Sequence, residues 1–416
     1  MKSEATGELG VWLLGERAGT LWLENGGLRF CYDTHWLEHS GVVALSQSLP
    51  LQVEAFDDQV CRPFFAGLLP EGELRRRIAQ QCQLSQANDF GLLAAIGGDC
   101  AGAVSLTPED QAPEPAEVEW LEPTQLITLP AELPERPMLA QRDGLRLSLA
   151  GAQDKLPVVV EGQRLGLPKG SAASTHILKP AIAAVDNSVT NEAFCMALAT
   201  RMKLRVADTK ILMAADERIL LVRRYDRRRA DNGAWSRLHQ EDFCQALGVP
   251  PDLKYQNEGG PDLQACFSLL RRATRPSAPE VIRLLDAVIF NALIGNHDAH
   301  AKNFSILYQQ QRGVLAPLYD LLCTAVYPTL TDKMAMKVGS KYRFAEVQVR
   351  HWEQLAKAAG LSGAQTKKRV AGIAKRLPSY ARGLQTEALY SGQPLVERII
   401  LLIEQRCALT LERLNT

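Results

Sequence analysis

The chain has 416 residues, of which 46% are hydrophobic and 23% charged, the composition of an ordinary soluble globular protein. This length exceeds what one ordinary core needs, so we expect two or three domains. Lys and Arg together number 47, as do Asp and Glu, which excludes an overall charge that would attract nucleic acid or an anionic membrane.

The nine cysteines lie far apart, and the sequence contains no C-x-x-C pair. This spacing argues against a zinc ribbon and a disulfide framework, and it is typical of reduced thiols in a cytosol. The sequence starts with MKSEATGELG, which is polar and acidic, unlike a signal peptide, and no apolar run approaches the length of a membrane span. We therefore predict a cytoplasmic protein without a membrane partner.

Short strands and turns are predicted first, over residues 9–60. Apolar residues alternate there, and the turn Asn25-Gly26-Gly27 is typical of a hairpin. Helical patterns follow from Pro63 to about residue 96. Residues 1–107 are therefore predicted to form a small α+β subdomain.

The next segment, residues 108–140, differs in composition from the rest of the chain. Its part from 108 to 137 contains seven prolines, eight acidic residues and a single Arg. Such a composition buries too little apolar surface to form a core. We therefore expect an extended connection.

From residue 141 strand patterns return, and helical patterns later replace them. Strands are predicted at residues 145–149, 156–160, 175–179, 207–213 and 219–222, with a helix at 191–202. After residue 240 the sequence is mostly helical, and it ends in a helix predicted over 396–414. The predicted plan is two-lobed, with a strand-rich lobe over 141–250 and a helical lobe over 251–416.

The polar pattern with the clearest chemistry is Asp298, Asn303 and Asp320. Metal-assisted phosphoryl transfer needs one carboxylate that orients a hydroxyl, and an amide and a second carboxylate that hold Mg²⁺ on ATP. The three residues have the types and the spacing for these roles.

The elements around this pattern favour its assembly. An apolar stripe predicts a helix that ends at Gly295, so the pattern begins at a helix end. Predicted strands at 304–308 and 314–318 flank a polar turn. Antiparallel pairing of these strands brings Asn303 and Asp320 to the same end, within reach of one cation.

Two other interpretations of this segment are open on the residues alone. Asp298 could cap a turn, with His297 and His300 as ordinary polar loop residues. Alternatively, His297, Asp298, His300 and Asp320 could bind the catalytic transition metal of a hydrolase. No other residues in the sequence clearly supply the remaining ligands or a separate base for that second interpretation.

A candidate phosphate-binding segment lies at residues 148–155 (SLAGAQDK), between two predicted strands. Its small residues allow the backbone to approach phosphate oxygens, and amide groups in such a turn can bind an anion. By itself the segment also fits a simple tight turn. Lys179 ends the strand at 175–179 and could neutralise phosphate charge, with Glu192 on the next helix as a partner for it.

Taken together, these motifs resemble the HipA family of toxin–antitoxin serine/threonine protein kinases over nearly the whole chain. The matching segments are 64–72 (FFAGLLPEG), 96–106 (IGGDCAGAVSL), 148–155, 175–180 (THILKP), 225–227 (YDR), 237–248 (RLHQEDFCQALG), 254–255 (KY), 293–306 (LIGNHDAHAKNFSI) and 315–320 (LAPLYD). The resemblance implies an α+β, two-lobed fold like that of protein kinases and phosphoinositide kinases. It implies an N-terminal α+β subdomain, a nucleotide-binding lobe over 141–250 and a mainly helical C-terminal catalytic lobe.

The resemblance also implies a role for individual residues. Asp298 is expected to be the catalytic base, and Asn303 and Asp320 to bind Mg²⁺. Residues 150–155 are expected to form the phosphate loop, and residues 223–225 to line the adenine through backbone groups. The full set expected to contact ATP is Ala150, Gly151, Ala152, Gln153, Asp154, Lys155, Lys179, Arg223, Arg224, Tyr225, His300, Lys302, Asn303, Tyr319 and Asp320.

Two positions bear on how such a kinase would be controlled. In the family, the serine matching Ser148 is autophosphorylated, which expels the phosphate loop and switches the kinase off. The added charge would lie where the phosphates of ATP must bind. Arg223 departs from the family, which usually has Glu there, and so puts nucleotide affinity in doubt if that side chain matters.

The partners implied by the resemblance are a HipB-like helix-turn-helix antitoxin and a protein substrate. Aminoacyl-tRNA synthetases are the expected substrates, with glutamyl-tRNA synthetase first among them. DNA would be contacted mainly through the antitoxin, which would associate the complex with the nucleoid. Two rivals remain: a co-repressor without effective catalysis that only binds a DNA-binding antitoxin, and a small-molecule or lipid kinase of the same fold.

Two basic runs are predicted to be solvated surface. The run at 223–229 has five arginines and is interpreted as the flank of a hairpin. Lys367-Lys368-Arg369 and Lys375-Arg376 are expected on one helix, where a solvated face is favoured. An auxiliary contact with DNA phosphates stays open there, because family members associate with a DNA-bound antitoxin.

Overall fold

The computed structural model describes residues 7–108, 111–231, 233–309 and 312–415. Its strands are β1 (Glu8–Leu13), β2 (Glu16–Glu24), β3 (Gly27–Tyr32), β4 (Val104–Pro108), β5 (Glu117–Trp120), β6 (Leu156–Glu161), β7 (Arg164–Lys169), β8 (His176–Lys179), β9 (Thr209–Ala214), β10 (Glu217–Arg223), β11 (Arg227–Arg229), β12 (Trp235–Arg237), β13 (Gln240–Asp242), β14 (Ser305–Gln309), β15 (Arg312–Leu315), β16 (Lys333–Val338) and β17 (Lys341–Arg343). Its helices are α1 (Thr34–Glu38), α2 (Asp58–Ala66), α3 (Gly72–Gln81), α4 (Asp89–Ile96), α5 (Pro123–Glu135), α6 (Ser188–Arg201), α7 (Phe243–Leu247), α8 (Leu263–Ala273), α9 (Ser277–Ile294), α10 (Val349–Ala358), α11 (Gly363–Gln385) and α12 (Pro394–Asn415).

The described residues form two compact units. The first lies within Met1–Pro180, Leu212–Asp252 and Leu307–Arg312, and the second within Ala181–Ile211, Leu253–Ile306 and Gly313–Thr416. This division differs from the predicted one, because helix α6 belongs with the C-terminal helices. The fully buried Asn191 explains the grouping, since its side chain donates to the carbonyl of Cys323 at 3.0 Å and accepts from the amide of Cys323 at 2.8 Å.

The N-terminal part of the first unit is a four-stranded sheet in the order β3-β2-β1-β4. Residues of these strands face a hydrophobic core, as Val11 and Phe30 do, with regular alternation in β3. Helices α2 and α4 pack on this core, and Phe64 of α2 is fully buried in it. The strands predicted within residues 9–60 and the helices predicted up to residue 96 are confirmed.

The second sheet of this unit has six strands in the order β5-β7-β6-β8-β10-β9. It has its own hydrophobic cluster, which includes Leu156, Leu167, Leu178 and Leu221. The strands predicted at 156–160, 175–179, 207–213 and 219–222 are confirmed as β6, β8, β9 and β10, within two or three residues at each end. This sheet fixes the position of Lys179 at the end of β8.

The extended connection predicted for residues 108–140 is wrong over much of its length. Strand β5 pairs with β7 at the edge of the six-stranded sheet, and α5 buries Leu129 and Leu133 in the cluster beneath it. Two features explain the helix. Pro123 stands at its first position, where no amide donor is needed, and Leu126, Leu129 and Leu133 follow one face. The acidic residues lie outside that apolar stripe, so the composition as a whole hid it.

The strand predicted at 145–149 does not form either. Only Leu147 makes a bridge, to Asp99, and no ladder follows from it. Leu145, Leu147 and Leu149 are nevertheless buried. The alternating pattern therefore indicates that this extended segment is buried, and it does not indicate that the segment belongs to a sheet.

The second unit is mainly helical, as predicted for the C-terminal part of the chain. Helix α9 buries most of its length and ends at Gly295, whose φ of +79° suits a glycine after a helix. The C-terminal helix predicted over 396–414 is α12, which packs on α11 and α9. The predicted turn between β14 and β15 includes residues 310–311, which lie outside the described residues. In the described part of the chain, every helix is too short or too polar to cross a membrane.

Candidate active site

The loop after α9 is fixed by the side chain of Asn296. Its amide nitrogen donates to Oδ1 of Asn291 at 2.9 Å and to the carbonyl of Asp320 at 3.3 Å. Its Oδ1 accepts from the amide of Asp298 at 3.2 Å. One buried asparagine therefore ties the helix end to both predicted acidic residues.

The Asp298 carboxylate is exposed and accepts a hydrogen bond from Tyr255. The phenol oxygen lies 2.7 Å from Oδ1 of Asp298. The Tyr255 ring makes an edge contact with His300 at 5.2 Å between centroids, and the next residue, Gln256, accepts from the amide of Lys337 at 2.7 Å. Tyr255 is thus held from two sides, and it holds one oxygen of Asp298.

No sequence pattern assigned Tyr255 a role, although the Lys-Tyr pair at 254–255 contributed to the family resemblance. It lies more than forty residues before Asp298, as the sequence numbers show, and only the tertiary fold brings the two together. A phenol near a catalytic carboxylate has no local sequence signature. The structure therefore adds Tyr255 to the candidate site.

Asn303 and Asp320 come together as the hairpin predicted. The amide nitrogen of Asn303 lies 3.4 Å from Oδ2 of Asp320, and the Asn303 Oδ1 accepts from the amide of His300 at 3.1 Å. Asp320 has a φ of +52°, a left-handed conformation that costs a non-glycine residue about 1 kcal/mol. Strain of this kind often lies at functional positions.

The donor set suits Mg²⁺. This ion prefers oxygen ligands and is usually bound through one or two carboxylates together with waters and substrate phosphates. Asp320 offers a carboxylate, and Asn303 lies beside it with its side-chain nitrogen toward Asp320 and its Oδ1 accepting from the amide of His300. The pair could hold the ion once the Asn303 amide turns its oxygen toward it.

The transition-metal alternative loses one of its ligands. Nδ1 of His297 lies 2.9 Å from the carbonyl of Thr331, and Arg406 donates to its Nε2 at 2.8 Å. Burial lowers the pKa of His297, consistent with a neutral ring in this position. Among the described residues, no group of three or more His, Cys, Asp or Glu side chains could hold a metal ion.

Lys302 and Tyr319 brace this part of the site. The Tyr319 hydroxyl donates to the carbonyl of Lys302 at 2.7 Å and lies 2.8 Å from the hydroxyl of Ser305. The Lys302 side chain is buried. These contacts connect the segment before β14 to the segment after β15, on which Asn303 and Asp320 lie.

In the first unit, the predicted phosphate loop is held by one of its own side chains and by one from helix α3. The Lys155 ammonium donates to the carbonyl of Ala150 at 2.5 Å, and Arg77 forms an ion pair with Asp154 at 2.7 Å. Gly151 has a φ of +107°, and a Cβ there would lie 2.6 Å from the Lys155 Nζ. The positive φ explains why glycine stands at this position, because an L residue there would be strained.

Two further contacts anchor this loop. The carbonyl of Gly151 accepts from the backbone amide of Glu71 at 3.1 Å, and the side-chain Nε2 of Gln153 donates to the carbonyl of Pro180 at 3.3 Å. Ala152 lies between them. The small residues predicted at 150–152 therefore do allow a close approach, in this case to the segment FFAGLLPEG.

Ser148 is fully buried in this conformation. Its hydroxyl donates to the carbonyl of Leu68 at 2.8 Å, and its amide donates to the carbonyl of Asp99 at 3.1 Å. A hydroxyl without solvent access cannot accept a phosphoryl group from ATP. Any modification of Ser148 requires the segment to leave this position.

Strands β8 and β10 place Lys179 opposite Leu220 and His176 opposite Arg223. Lys179 is buried, so its charge would interact strongly with an anionic ligand. At the predicted adenine-binding segment, the amide of Arg224 donates to the carbonyl of Thr175 at 2.9 Å. Of the three residues at 223–225, Arg224 therefore has no amide to offer to a base.

The basic run at 223–229 is only partly the solvated flank that the sequence predicted. Arg223 is exposed, whereas Arg224 and Arg227 are buried and bind two buried carboxylates. Burial opposes ionisation of Asp99, but nearby guanidinium groups outweigh it and hold the pKa of that carboxyl below its usual range. Asp226 binds both arginines, with an Arg224 nitrogen at 2.7 Å. The correction follows from long-range pairing with Asp99, which no local pattern reveals.

Residues 147–381 match the family described as HipA-like C-terminal domain, and residues 9–107 match the HipA N-terminal domain. The protein named "Putative kinase Y4mE" from Sinorhizobium fredii is 47% identical over 372 residues, which cover 88% of this chain and 89% of that protein. The serine/threonine-protein kinase toxin HipA of Shewanella oneidensis is 29% identical over 323 residues, which cover 75% of this chain and 73% of that protein.

A solved structure of HipA from Shewanella oneidensis, in complex with HipB and operator DNA, is 25% identical. It superposes with a TM-score of 0.85 and covers 98% of both chains. The two-lobed, kinase-like α+β fold that the sequence predicted is therefore confirmed. This chain belongs to the HipA family, whose compared members are named as kinases.

Proposed function

We propose that this protein is an ATP- and Mg²⁺-dependent serine/threonine protein kinase. The observation that carries the proposal is the pairing of Asn303 with Asp320 at 3.4 Å, in the loop system that begins with the exposed Asp298. These residue types in this order match the base and the two metal ligands of phosphoryl transfer. The family supports kinase activity in general terms.

Each residue has a proposed task. Asp298 accepts the proton of the substrate hydroxyl, and Asn303 and Asp320 hold Mg²⁺. When bound, ATP would supply the phosphoryl group, and Mg²⁺ would neutralise part of the charge on its phosphates. Lys179 and the loop at 150–155 bind its phosphates, and the backbone near Arg223 and Tyr225 binds the adenine. Tyr255 orients Asp298 through the hydrogen bond to Oδ1.

We further propose that Ser148 is an autophosphorylation site that silences the kinase. Its burial against Leu68 means that the loop must leave before the hydroxyl can react. A phosphoserine carries up to about two negative charges, which cannot return to this buried position against the carbonyl of Leu68. The modification would therefore keep the loop out and block binding of ATP phosphates.

The proposed biological setting is a toxin–antitoxin pair. The Shewanella oneidensis relative, solved with HipB and operator DNA, supports a HipB-like antitoxin as partner, with DNA contacted mainly through it. The proposed substrate is an aminoacyl-tRNA synthetase, with glutamyl-tRNA synthetase first to be examined. The proposed location is the cytoplasm, and the nucleoid when the antitoxin is bound.

Growth of a bacterial host tests the toxin proposal. Expression without antitoxin is expected to arrest growth, and Asp320→Ala is expected to relieve the arrest because Mg²⁺ is no longer held. Arg343→Ala, which alters an exposed ion pair with Asp332, is the control and should remain toxic. Equal toxicity of wild type and Asp320→Ala would show that the arrest does not depend on phosphoryl transfer.

A further inference from the structure

A cavity of about 550 Å³ lies within the second unit, apart from the proposed kinase residues. Helices α9 and α11 form its walls, together with the turn that follows α6. Its floor is apolar and includes Met202, Leu285, Phe290 and Ile373, all of them buried. This volume is in the range of sites that bind small organic molecules.

One polar side chain at the cavity is buried without a hydrogen-bond partner. The hydroxyl of Thr366 belongs to a residue that is 1% exposed, and no partner for it exists among the described residues. Buried polar groups are satisfied in the large majority of cases, so an orphan hydroxyl that lines a cavity indicates a missing partner. A ligand in the cavity would supply it.

Gly372 opens the same wall of the cavity. It stands in the interior of α11, where glycine is the poorest helix former apart from proline. A Cβ added there would meet no atom within 4 Å, so close packing does not require the glycine. The absence of a side chain keeps space free within the cavity lining.

The rim of the cavity carries uncompensated positive charge. Arg369 is neutralised by Asp286, which it binds through two contacts at 2.5 and 2.9 Å. Lys368 and Arg376 also line the cavity, and neither forms an ion pair within the described part of the chain. Lys368, Arg369, Lys375 and Arg376 are all exposed, so the solvated face predicted for this basic run is confirmed.

We propose that this cavity binds a small organic anion with an apolar body, such as an aromatic or short acyl group that carries a carboxylate, sulfonate or phosphate. The apolar part packs on Leu204, Ile282 and Leu361, which line the cavity and are only partly buried. The hydroxyl of Thr366 hydrogen-bonds to the ligand, and Lys368 and Arg376 pair with its charge. Water could satisfy Thr366 and solvate the two exposed cations, but their position beside an apolar lining favours an anion that has an apolar body.

The probe for this site is 8-anilinonaphthalene-1-sulfonate, an aromatic anion whose fluorescence rises in apolar surroundings. Titration of the full chain is expected to show a saturable site that Gly372→Phe removes, because the phenyl ring fills the cavity. The double variant Lys368→Ala/Arg376→Ala should weaken binding about fivefold, and Lys375→Ala on the same helix should not change it. N-phenyl-1-naphthylamine, which lacks the sulfonate, should bind equally to wild type and the double variant.

Thermal unfolding of each variant establishes that it is folded, and Gly372→Leu replaces Gly372→Phe if the latter does not fold. Asp298→Asn is expected to bind the probe like wild type. The test of this cavity is therefore independent of the test of the kinase proposal. Unchanged probe binding in the folded Gly372 variant would overturn the proposal. Loss of affinity for duplex DNA in the double variant, with probe binding unchanged, would instead assign the basic rim to a nucleic-acid backbone.

Discussion

At the scale of single residues, the hydrogen bond from Tyr255 is the contact that most directly constrains the proposed base. Oδ1 of Asp298 accepts it at 2.7 Å, which fixes the direction of that oxygen. Asp298 is exposed, so close packing restricts its rotamer less than it would in a core, and this hydrogen bond contributes to the restriction. Tyr255 is itself held by its edge contact with His300. The packing of His300 therefore helps to set the orientation of the Asp298 carboxylate.

We predict that Tyr255→Phe lowers kcat about tenfold and leaves the KM for ATP unchanged, because one hydrogen bond to a charged group is lost while nucleotide binding is retained. Initial-rate kinetics with the purified kinase measure both constants. Tyr342→Phe is the matched control, since that ring contacts only Lys337 among the interactions described and lies outside the site. A rise in KM without a fall in kcat would assign Tyr255 to binding and not to positioning.

At the scale of elements, the loop at 150–155 depends on a glycine that another residue could not replace. Gly151 combines a φ of +107° with the close approach of the Lys155 Nζ. A side chain there would strain the backbone and displace the lysine that closes the loop.

Gly151→Ala is therefore expected to raise the KM for ATP about tenfold, from a backbone cost of about 1–2 kcal/mol that is imposed on the loop. Gly162→Ala provides the control, because Gly162 also has a positive φ but lies in the β6–β7 turn with open space around it. Equal effects of the two substitutions on KM would contradict a special role for the loop.

Strand β13 and the residue before it carry two buried groups with opposite titration behaviour. Burial raises the pKa of Glu241 to about 7, although the carboxylate accepts hydrogen bonds from Ser46 and Tyr308. Burial lowers the pKa of His239 to about 4, with the ring stacked 5.3 Å from Tyr308. Both groups are fully enclosed, so each titrates differently in the folded and unfolded chain.

The two groups affect stability in opposite directions. Between pH 4.5 and 7 the folded protein keeps the Glu241 proton that the unfolded chain has lost, so stability falls as pH rises. Between pH 6.5 and 4 the unfolded chain protonates His239 while the folded protein does not, so stability falls as pH falls. The two effects oppose one another where the windows overlap.

We predict that Glu241→Gln reveals the effect of His239 on the pH dependence of stability, because the opposing effect of Glu241 is removed. Relative to wild type, the unfolding free energy of the variant should rise with pH by about 1.4 kcal/mol per unit through the shared window. Urea denaturation at several pH values measures this slope, and His239→Asn should change it with the opposite sign. Parallel pH profiles for wild type and both variants would contradict the assigned titrations.

At the scale of the whole molecule, the residues needed for the proposed reaction are divided between the two units. Lys179 and the loop at 150–155 belong to the first, whereas Asp298, Asn303 and Asp320 belong to the second. Neither unit by itself carries the complete set. The proposed reaction therefore requires residues of both units, and a fragment that contains only one unit is expected to be inactive.

The sequence predicted well those features that depend on neighbours along the chain. Asn303 and Asp320 flank a hairpin, so pairing of its strands brings them together. Tyr255 and the buried Arg227 depend on contacts across long stretches of sequence, which local periodicity does not encode. Helix α5 was missed because prolines and acidic residues concealed its apolar stripe.

The most direct test of the kinase proposal is mass spectrometry of phosphate transfer by the purified protein. Wild type with MgATP is expected to gain a phosphoryl group at Ser148 and to phosphorylate a protein in a bacterial lysate. Asp298→Asn, with the same fold and nearly the same side-chain size, is expected to do neither. Absence of phosphorylation both on the wild-type protein and on every lysate protein would contradict the account.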